Sequence, residues 1–514
     1  MKFIELVFKN KLNLFVFSFL LFSFGSFYVS FFPPDEPKYV DAALKMIESK
    51  NYLVPFFNCH VRFDKPILFY WELVAFFKLF SVDFLIRNGI DPLGIIEYAA
   101  RLPSIISGAF TAIYIYKLSY TLFRSEKIST NSIIAYFSFL FFFYLTRSVY
   151  PDMSLILFEL MATYYFIEEK YCIAWLTTAL AFLVKGPIGI VVPGFNYLLY
   201  LWIVKKETGL KKFFTRKNIL GLAIFAIVSV PWYLELYLLY GIKFINKFFI
   251  YHNIERFTGG AHQHPNPFYY YVPILIAVLF FWWPYVKDLS KKVDLKDSKN
   301  RVLLSWFAWV FLFFSMSYNK LPHYIAVSFL PLGILFAQYM DSLENTKTKS
   351  VIMFTIELAI GFAISVYLFE ERLYLLIPTA FFGIVCMGML NFAHNPKNTI
   401  FYKTIIVSLF LSITLMQLES HRPEKKIWKI MLNNPYPLYE FRINNQSLIA
   451  YTRRCLKDTG SIIFFKNKKD TFYVYTKRKY LSYFKNYKVI FFALDRGEPT
   501  ALIKIEQPKQ EVLK

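Results

Sequence analysis

The sequence predicts an α-helical polytopic membrane protein, with its N-terminus in the cytoplasm, that ends in a small α/β domain. Of its 514 residues, 56% are hydrophobic and only 18% are charged, and the mean hydropathy is +0.40. Soluble domains carry about 25% charged residues, so most of this surface must face lipid. The composition excludes a soluble enzyme and a disordered chain. The net charge of +23 favours anionic membrane surfaces or anionic lipid substrates over nucleic acid as partners.

Apolar stretches long enough to cross a bilayer occur along most of the chain, since a spanning helix needs about 20 mostly apolar residues. We predict about 13 spans, near 11–32, 97–117, 131–147, 153–168, 171–185, 187–204, 218–239, 268–286, 302–317, 322–340, 350–368, 372–392 and 400–418. The first span has basic flanks, but it is long for a signal peptide and no A-x-A site follows it. We interpret it as a retained anchor.

Lys and Arg residues set the orientation, because short cytoplasmic loops carry an excess of both. The basic segments 204–218 and 287–301 fall inside if the N-terminus is cytoplasmic and 67–82 does not cross. Segment 67–82 is short and contains two charged residues, which predicts a helix lying along the outer surface. An odd number of spans then places 419–514 outside.

Two domains follow from this pattern. Residues 1–418 form a transmembrane domain with outer loops at 33–96, which carries interfacial helices, and at 240–267. Residues 419–514 form an outer α/β domain, in which strands are predicted from alternating or β-branched runs at 461–465, 471–476, 488–494 and 501–505. This basic tail either rests on an anionic leaflet or is simply solvated. The four cysteines have no metal-type spacing and imply no disulfide framework.

Ionisable side chains cluster on the predicted outer side of the membrane. They are Asp35, Glu36 and Lys38 in PPDEPKY, Asp64 and Lys65 in RFDKP, Asp152 in YPD, Lys185 in VKGP, His252, Arg256, His262 and His264 in the 240–267 loop, and His323 and Tyr324 in LPHY. Any one of them alone could be an interfacial residue, and Asp35 or Glu36 could cap the next helix. Together they suit chemistry on a phosphate-bearing lipid. Lys and Arg would hold phosphate oxygens, and a carboxylate would act as a base or stabilise an oxocarbenium ion.

A divalent metal (Zn, Mg or Mn) held by carboxylates and histidines is an alternative use of the same residues. His262 and His264 stand two residues apart, which is weak metal spacing. The sequence has no Walker A, GxGxxG or HExxH motif, so nucleotide and zinc-protease chemistry have no local support.

Seven motifs carry a family resemblance: PPDEPKYVDAA, VRFDKPILFYW, ARLPS, YPDMS, AFLVKGPIG, HNIERF followed by HPNPFYYYVP, and NKLPHYIAVSFLPL. In this order they resemble the GT-C superfamily of polyprenyl-phosphate-dependent glycosyltransferases. The resemblance is closest to the lipid A 4-amino-4-deoxy-L-arabinose transferase (ArnT)-like family, relatives of the protein O-mannosyltransferases. It implies the GT-C fold and an inverting transfer on the periplasmic side of a bacterial inner membrane. The donor would be an undecaprenyl-phosphate-linked sugar, and the acceptor would be lipid A or another glycolipid of lipopolysaccharide.

The resemblance also implies roles for particular residues. It implies that Asp35 is catalytic, with Glu36 and Asp152 as further acids. It implies that Lys38, Lys65 and Lys185 bind the donor phosphate. A tentative metal site would consist of Asp64 and His252. The family usually has Glu at the position of Asp64 and Arg at that of Lys38, which leaves the sugar open between 4-amino-4-deoxy-L-arabinose and others such as galacturonic acid. A protein O-mannosyltransferase, a flippase or transporter of polyprenyl-linked lipids and a non-catalytic assembly factor are alternatives. We favour the transferase because we find no repeated halves and no midplane charges.

Overall fold

The computed structural model describes residues 7–27, 29–207, 215–259, 265–370, 377–392, 395–419, 422–466, 468, 470–495 and 498–506. The helices of its first half are α1 Lys11–Ser23, α2 Glu36–Ser49, α3 Leu68–Leu79, α4 Val82–Arg87, α5 Ile95–Phe123, α6 Glu126–Ser138, α7 Phe141–Thr146, α8 Asp152–Ile167, α9 Tyr171–Lys185, α10 Ile188–Tyr200 and α11 Arg216–Tyr240. The short α12 Ile242–Ile245 continues as a π-helical segment, Asn246–Glu255, and ends as α13 Arg256–Thr258. The remaining helices of the bundle are α14 Tyr271–Val278, α15 Trp283–Lys292, α16 Ser298–Met316, α17 Phe329–Tyr339, α18 Lys347–Glu370, α19 Ile377–Met389 and α20 Pro396–Glu419.

Among the described residues, three helices are long and apolar enough to cross a membrane unaided: Ile188–Lys205, Arg216–Tyr240 and Pro322–Ser342. A fourth candidate is the pair Phe268–Val278 and Phe280–Lys292, which is bent by 62°. The larger number of about 13 spans therefore stays a prediction.

Several predicted spans are shorter or broken in the structure. The helix of the first span ends at Ser23, and the predicted span 131–147 is interrupted between Ser138 and Phe141. The predicted span 372–392 lies partly outside the described residues. If such helices cross the membrane together, neighbouring helices must supply hydrogen-bond partners for the backbone N–H and C=O groups at each break.

The predicted surface helix is observed as α3, but it packs into the protein. Its residues Phe69, Tyr70 and Leu73 are fully buried in a core shared with α2 and α5. Its charged residue Glu72 accepts a 2.7 Å hydrogen bond from Ser154 on α8. Protein contacts therefore cover much of the side that was expected to lie along lipid.

The elements of the tail are α21 Glu424–Met431, β3 Leu438–Phe441, α22 Ser447–Thr452, β4 Asp458–Thr459, α23 Ile463–Lys466, β5 Phe472–Lys477, β6 Tyr487–Asp495 and β7 Glu498–Ile505. The five strands form one sheet in the order β4-β3-β5-β7-β6. Three predicted strands correspond to β5, β6 and β7. The fourth, 461–465, is wrong, because a helical turn there directs Phe465 into an aromatic cluster with Phe441, Phe472 and Phe484.

The tail is joined to the loop 33–96, predicted to lie outside, which carries the hairpin β1 Phe56–Phe57 and β2 His60–Val61. Cys59 and Cys455 form a disulfide with a Cα–Cα distance of 5.8 Å. The expectation of no disulfide was wrong, since the partners are 396 residues apart and no sequence spacing indicates their proximity. Ser447 Oγ also donates a 2.8 Å hydrogen bond to the Phe31 carbonyl. The tail and the 33–96 loop therefore lie at the same end of the bundle.

Candidate active site

A cavity of about 440 Å³ opens beside the N-terminal turns of α8 and α10, the end of α16 and the π-helical segment. Eight of the predicted site residues line it: Asp64, Lys65, Asp152, Lys185, His252, Arg256, His323 and Tyr324. Its other walls are largely apolar, with Leu155, Ile156, Val191, Phe249 and Phe313 among them. A cavity lined by both charged and apolar side chains matches a ligand with a polar head and a hydrocarbon chain.

Asp152 and Lys185 form an ion pair at the wall of this cavity. Asp152 is the first residue of α8 and Lys185 the last residue of α9, so two adjacent helix ends bring them together. Lys185 Nζ lies 2.6 Å from Asp152 Oδ1 and 4.6 Å from the ring centroid of Tyr324. His323 Nε2 lies 3.8 Å from the other Asp152 oxygen. Gly186 ends α9 at φ +75°, a conformation that suits glycine.

Arg62 fixes the orientation of Asp64. Its Nη2 donates a 2.8 Å hydrogen bond to Asp64 Oδ2, and its Nε donates to Oδ1. The guanidinium also stacks 4.4 Å from the ring centroid of Tyr39. Burial disfavours ionisation of Asp64, but the charge and hydrogen bonds of Arg62 outweigh burial and hold the Asp64 pKa well below its usual range. Our sequence reasoning missed Arg62, although the RFD spacing was a usable signal.

The cations of the cavity repel one another. Burial lowers the pKa of Lys65 to about 8; Asp64 opposes this shift, and the charges of Arg256 and Lys185 reinforce it. Burial, followed by the charge of Arg256, lowers the pKa of His252 to about 3, so this imidazole is neutral near pH 7. A bound anion would relieve this repulsion, which is the electrostatic condition for a phosphate site.

Asp35 lies at the edge of this cluster. It precedes the first residue of α2 without a side-chain capping bond, and its Oδ1 lies 3.0 Å from Lys38 Nζ. Its carboxylate is partly exposed and does not line the cavity, but its charge acts on the lining residues His323 and Tyr324. Asp35 is therefore accessible to a ligand at this end of the bundle.

Glu36, by contrast, is part of the fold. It is fully buried and lies 3.2 Å from Arg101 Nη2, and its oxygens accept 2.9 Å hydrogen bonds from the backbone N–H groups of Phe32 and Val149. Both oxygens are occupied by protein partners. This placement favours a structural role for Glu36, and its predicted part in catalysis stays a prediction.

Glu159 is a cavity residue that our sequence reasoning missed. It lies seven residues after Asp152 on the same face of α8, is 1% exposed, and has no hydrogen-bond partner for Oε1. Its i+7 spacing from Asp152 was the available signal.

The residues tentatively predicted as a metal site do not fit one. Both Asp64 oxygens are engaged by Arg62, and within the described ranges no group of three or more His, Cys, Asp or Glu could hold a metal ion. His252 Nδ1 is buried without a partner, but a single imidazole is not a site. The predicted candidates His262 and His264 lie outside the described residues.

Sequence comparison gives three relevant matches. Residues 64–234 match the family model described as dolichyl-phosphate-mannose-protein mannosyltransferase. An uncharacterized protein of Aquifex aeolicus is 30% identical over 492 residues, which cover 95% of this chain and 97% of the relative. The undecaprenyl phosphate-alpha-4-amino-4-deoxy-L-arabinose arabinosyl transferase of Wigglesworthia glossinidia brevipalpis is 27% identical over 434 residues, or 79% of this chain and 72% of the relative.

Comparison with solved structures agrees with the sequence matches. ArnT from Cupriavidus metallidurans, crystallised with undecaprenyl phosphate, aligns with a TM-score of 0.74 and 18% identity, covering 96% of this chain and 97% of that one. At this identity the likeness establishes the shared fold.

Proposed function

This chain belongs to the ArnT-like family of polyprenyl-phosphate-dependent GT-C glycosyltransferases, and we propose that it modifies lipid A. The sugar is 4-amino-4-deoxy-L-arabinose or a relative such as galacturonic acid, and the donor is its undecaprenyl-phosphate ester. The protein is a multi-pass protein of the bacterial inner membrane, and the cavity faces the periplasm. The observation that carries this proposal is the cavity itself, which Lys65, Lys185 and Arg256 line together with apolar side chains.

Donor binding uses the cationic cluster. The donor phosphate accepts hydrogen bonds from Lys65 and Lys185, with Lys38 nearby, while the polyprenyl chain lies against the apolar wall. Lys185 then exchanges part of its contact with Asp152 for the phosphate. As the bond between sugar C1 and the phosphate oxygen breaks, these cations stabilise undecaprenyl phosphate as the departing anion.

Acceptor attack occurs from the opposite face of the sugar, which inverts the configuration at C1. With a hydroxyl acceptor, Asp35 takes the proton as the new C1–O bond forms. With a lipid A phosphate as acceptor, no proton needs removal, and Asp35 orients the acceptor and stabilises positive charge at C1. Arg62 holds the Asp64 side chain, and the Asp64 backbone carbonyl accepts a hydrogen bond from Lys65 Nζ. These contacts position Lys65.

A direct test combines cells and purified protein. Mass spectrometry of lipid A from cells with and without the protein should show one sugar-sized mass difference. Purified protein in lipid nanodiscs should then transfer that sugar from the undecaprenyl-phosphate donor to lipid A. Asp35→Asn should reduce transfer by about 100-fold or more. Full activity in this variant would remove Asp35 from the chemistry.

Glu36→Gln is the matched control for the adjacent acid. It should lower thermal stability, because it weakens the buried pair with Arg101, while the protein that stays folded keeps its specific activity. The same assay with a peptide acceptor examines the O-mannosyltransferase alternative, which the matched family model favours. A flippase would be indicated instead if the protein, reconstituted in lipid vesicles, moved labelled donor lipid across the bilayer without forming a glycosylated product.

A further inference from the structure

A second cavity, of about 920 Å³, adjoins the candidate active site. It lies between the β1–β2 hairpin and the start of the 242–255 helix. Phe56, Cys59, His60, Val61, Phe63, Ile242, Lys243, Asn246, Lys247, Tyr251 and Glu255 line it. Donor binding does not require it, because Lys65, Lys185 and Arg256 line the first cavity.

The helical segment 242–258 is a wall shared by the two cavities. Phe248, His252 and Arg256 face the active site, whereas Lys243, Lys247, Tyr251 and Glu255 line the second cavity. Residues four apart fall on nearly one line in a helix of α or π form, so each set makes one face. The loop 60–65 forms another common wall, since Phe63 lines the second cavity and the next residue, Asp64, lines the first. A ligand in the second cavity would therefore lie next to the reacting centre.

The lining has the chemistry of a site for an anionic amphiphile. Lys243 and Lys247 are exposed and have no ion-pair partner among the described residues; Lys247 Nζ lies 3.8 Å from the ring centroid of Tyr251. His60 adds a third basic side chain, and Glu255 is the single carboxylate of the lining. Phe56, Val61 and Ile242 supply the apolar surface.

We propose that this second cavity binds the acceptor, a phosphorylated glycolipid of the outer leaflet, with its phosphate on Lys243 and Lys247. The inference rests on the proposed function and deepens it by assigning a place to the acceptor. The phosphate contacts hold the headgroup, and the apolar side chains contact the first part of its acyl chains. The headgroup then extends past Phe63 toward Asp35 and the donor sugar.

The test is a charge reversal of both lysines, Lys243→Glu with Lys247→Glu, in full-length protein in nanodiscs of neutral lipid. The KM for phosphorylated lipid A should rise about tenfold or more, while the KM for the donor stays at the wild-type value. Chemically dephosphorylated lipid A, added as a competitive inhibitor of acceptor binding, should have similar inhibition constants with wild type and variant. The milder pair Lys243→Gln with Lys247→Gln should give an intermediate KM and covers the case in which the reversal does not fold.

The matched control is Lys479→Glu with Lys485→Glu, an equal charge change on exposed tail residues, which should leave both KM values unchanged. An unchanged acceptor KM in the Lys243 and Lys247 variants would overturn the proposal. So would an equal weakening of the dephosphorylated competitor, or a rise in KM that appears only when the nanodiscs contain anionic phospholipid, which would assign the cavity to bulk lipid. Failure of the proposed function itself is distinguishable, because the wild-type protein would then form no product.

Discussion

Lys185 Nζ and Asp152 Oδ1 lie 2.6 Å apart, with Asp152 buried and Lys185 largely buried, although the residues are 33 positions apart in the chain. The pair joins the end of α9 to the beginning of α8 inside the cavity. A buried ion pair is a weak source of stability compared with apolar packing. Its position therefore indicates a functional reason for keeping a lysine there, which can be tested.

Lys185→Met should abolish transfer, with a loss of about 100-fold or more in kcat/KM for the donor, because the phosphate loses a cation in a low-dielectric site. It should also destabilise the protein by about 3–5 kcal/mol, since Asp152 is left buried without its partner. Thermal unfolding and donor kinetics in nanodiscs measure the two effects. The double variant Asp152→Asn with Lys185→Met should recover stability without activity. Recovery of both would assign the pair to folding alone.

Arg62→Met should release the Asp64 pKa toward its ordinary value. In the wild type the folded-state pKa of Asp64 is depressed, so this group contributes stability above pH ~4, the unfolded value, and loses it as the pH falls further. The stability difference between wild type and variant should therefore be largest near neutral pH and shrink toward pH ~3. Thermal unfolding across this range measures it. Arg62→Lys is the charge-conserving control, and a pH-independent difference would argue that Arg62 acts only through packing on Tyr39.

Lys65 predicts an alkaline limit to donor binding. Because burial and neighbouring cations lower its pKa to about 8, it loses its charge as the pH rises through that value, and kcat/KM for the donor should fall. Stability should change in the opposite direction. Between pH 8 and about 10.4, the ordinary lysine value, the unfolded chain binds more protons at this site, so the contribution of Lys65 to folding becomes more favourable.

Lys65→Arg is the control for this profile, since arginine stays charged throughout. The variant should keep donor binding above pH 8 and lack the alkaline limb. If activity and thermal stability of the wild type instead fall together over this range, alkaline unfolding explains the profile and Lys65 does not.

The arrangement of most site residues could be predicted from the sequence because their positions are set by where helices end. Asp152 and Lys185 each stand at the boundary of an apolar stretch, and such boundaries meet at one face of a membrane bundle. Asp64 and Lys65 could be placed in the same way. The roles of the adjacent acids Asp35 and Glu36 could not be separated by this reasoning, because both stand at the same boundary.

The different environments of Asp35 and Glu36 depend on long-range contacts. Glu36 is buried because Arg101 and the Val149 N–H, 65 and 113 residues further along the chain, converge on its carboxylate. Local sequence carries no record of such partners. The strand prediction for 461–465 was wrong for a related reason. The packing of Phe465 in an aromatic core outweighs the β propensity of this run.

The disulfide between Cys59 and Cys455 predicts both the location and the stability of the tail. Disulfides persist in oxidising compartments, so the bond should form only if the tail and the first outer loop reach the periplasm. Cells are denatured in the presence of an alkylating reagent, and the purified protein is analysed by mass spectrometry without reduction. Cys59 and Cys455 should be protected from alkylation. Cys172 and Cys386, the free cysteines of the structure, should be modified.

Cys59→Ser with Cys455→Ser should lower the free energy of unfolding by about 2–4 kcal/mol, because the bond restricts the unfolded chain between residues far apart in sequence. Transfer should persist at low temperature, since the tail keeps its other contacts, including Ser447 with the Phe31 carbonyl. Thermal unfolding followed by tryptophan fluorescence measures the loss. The matched control, Cys172→Ser with Cys386→Ser, should be nearly neutral. Free Cys59 and Cys455 in exported protein would contradict the bond, and with it this evidence that the tail faces the periplasm.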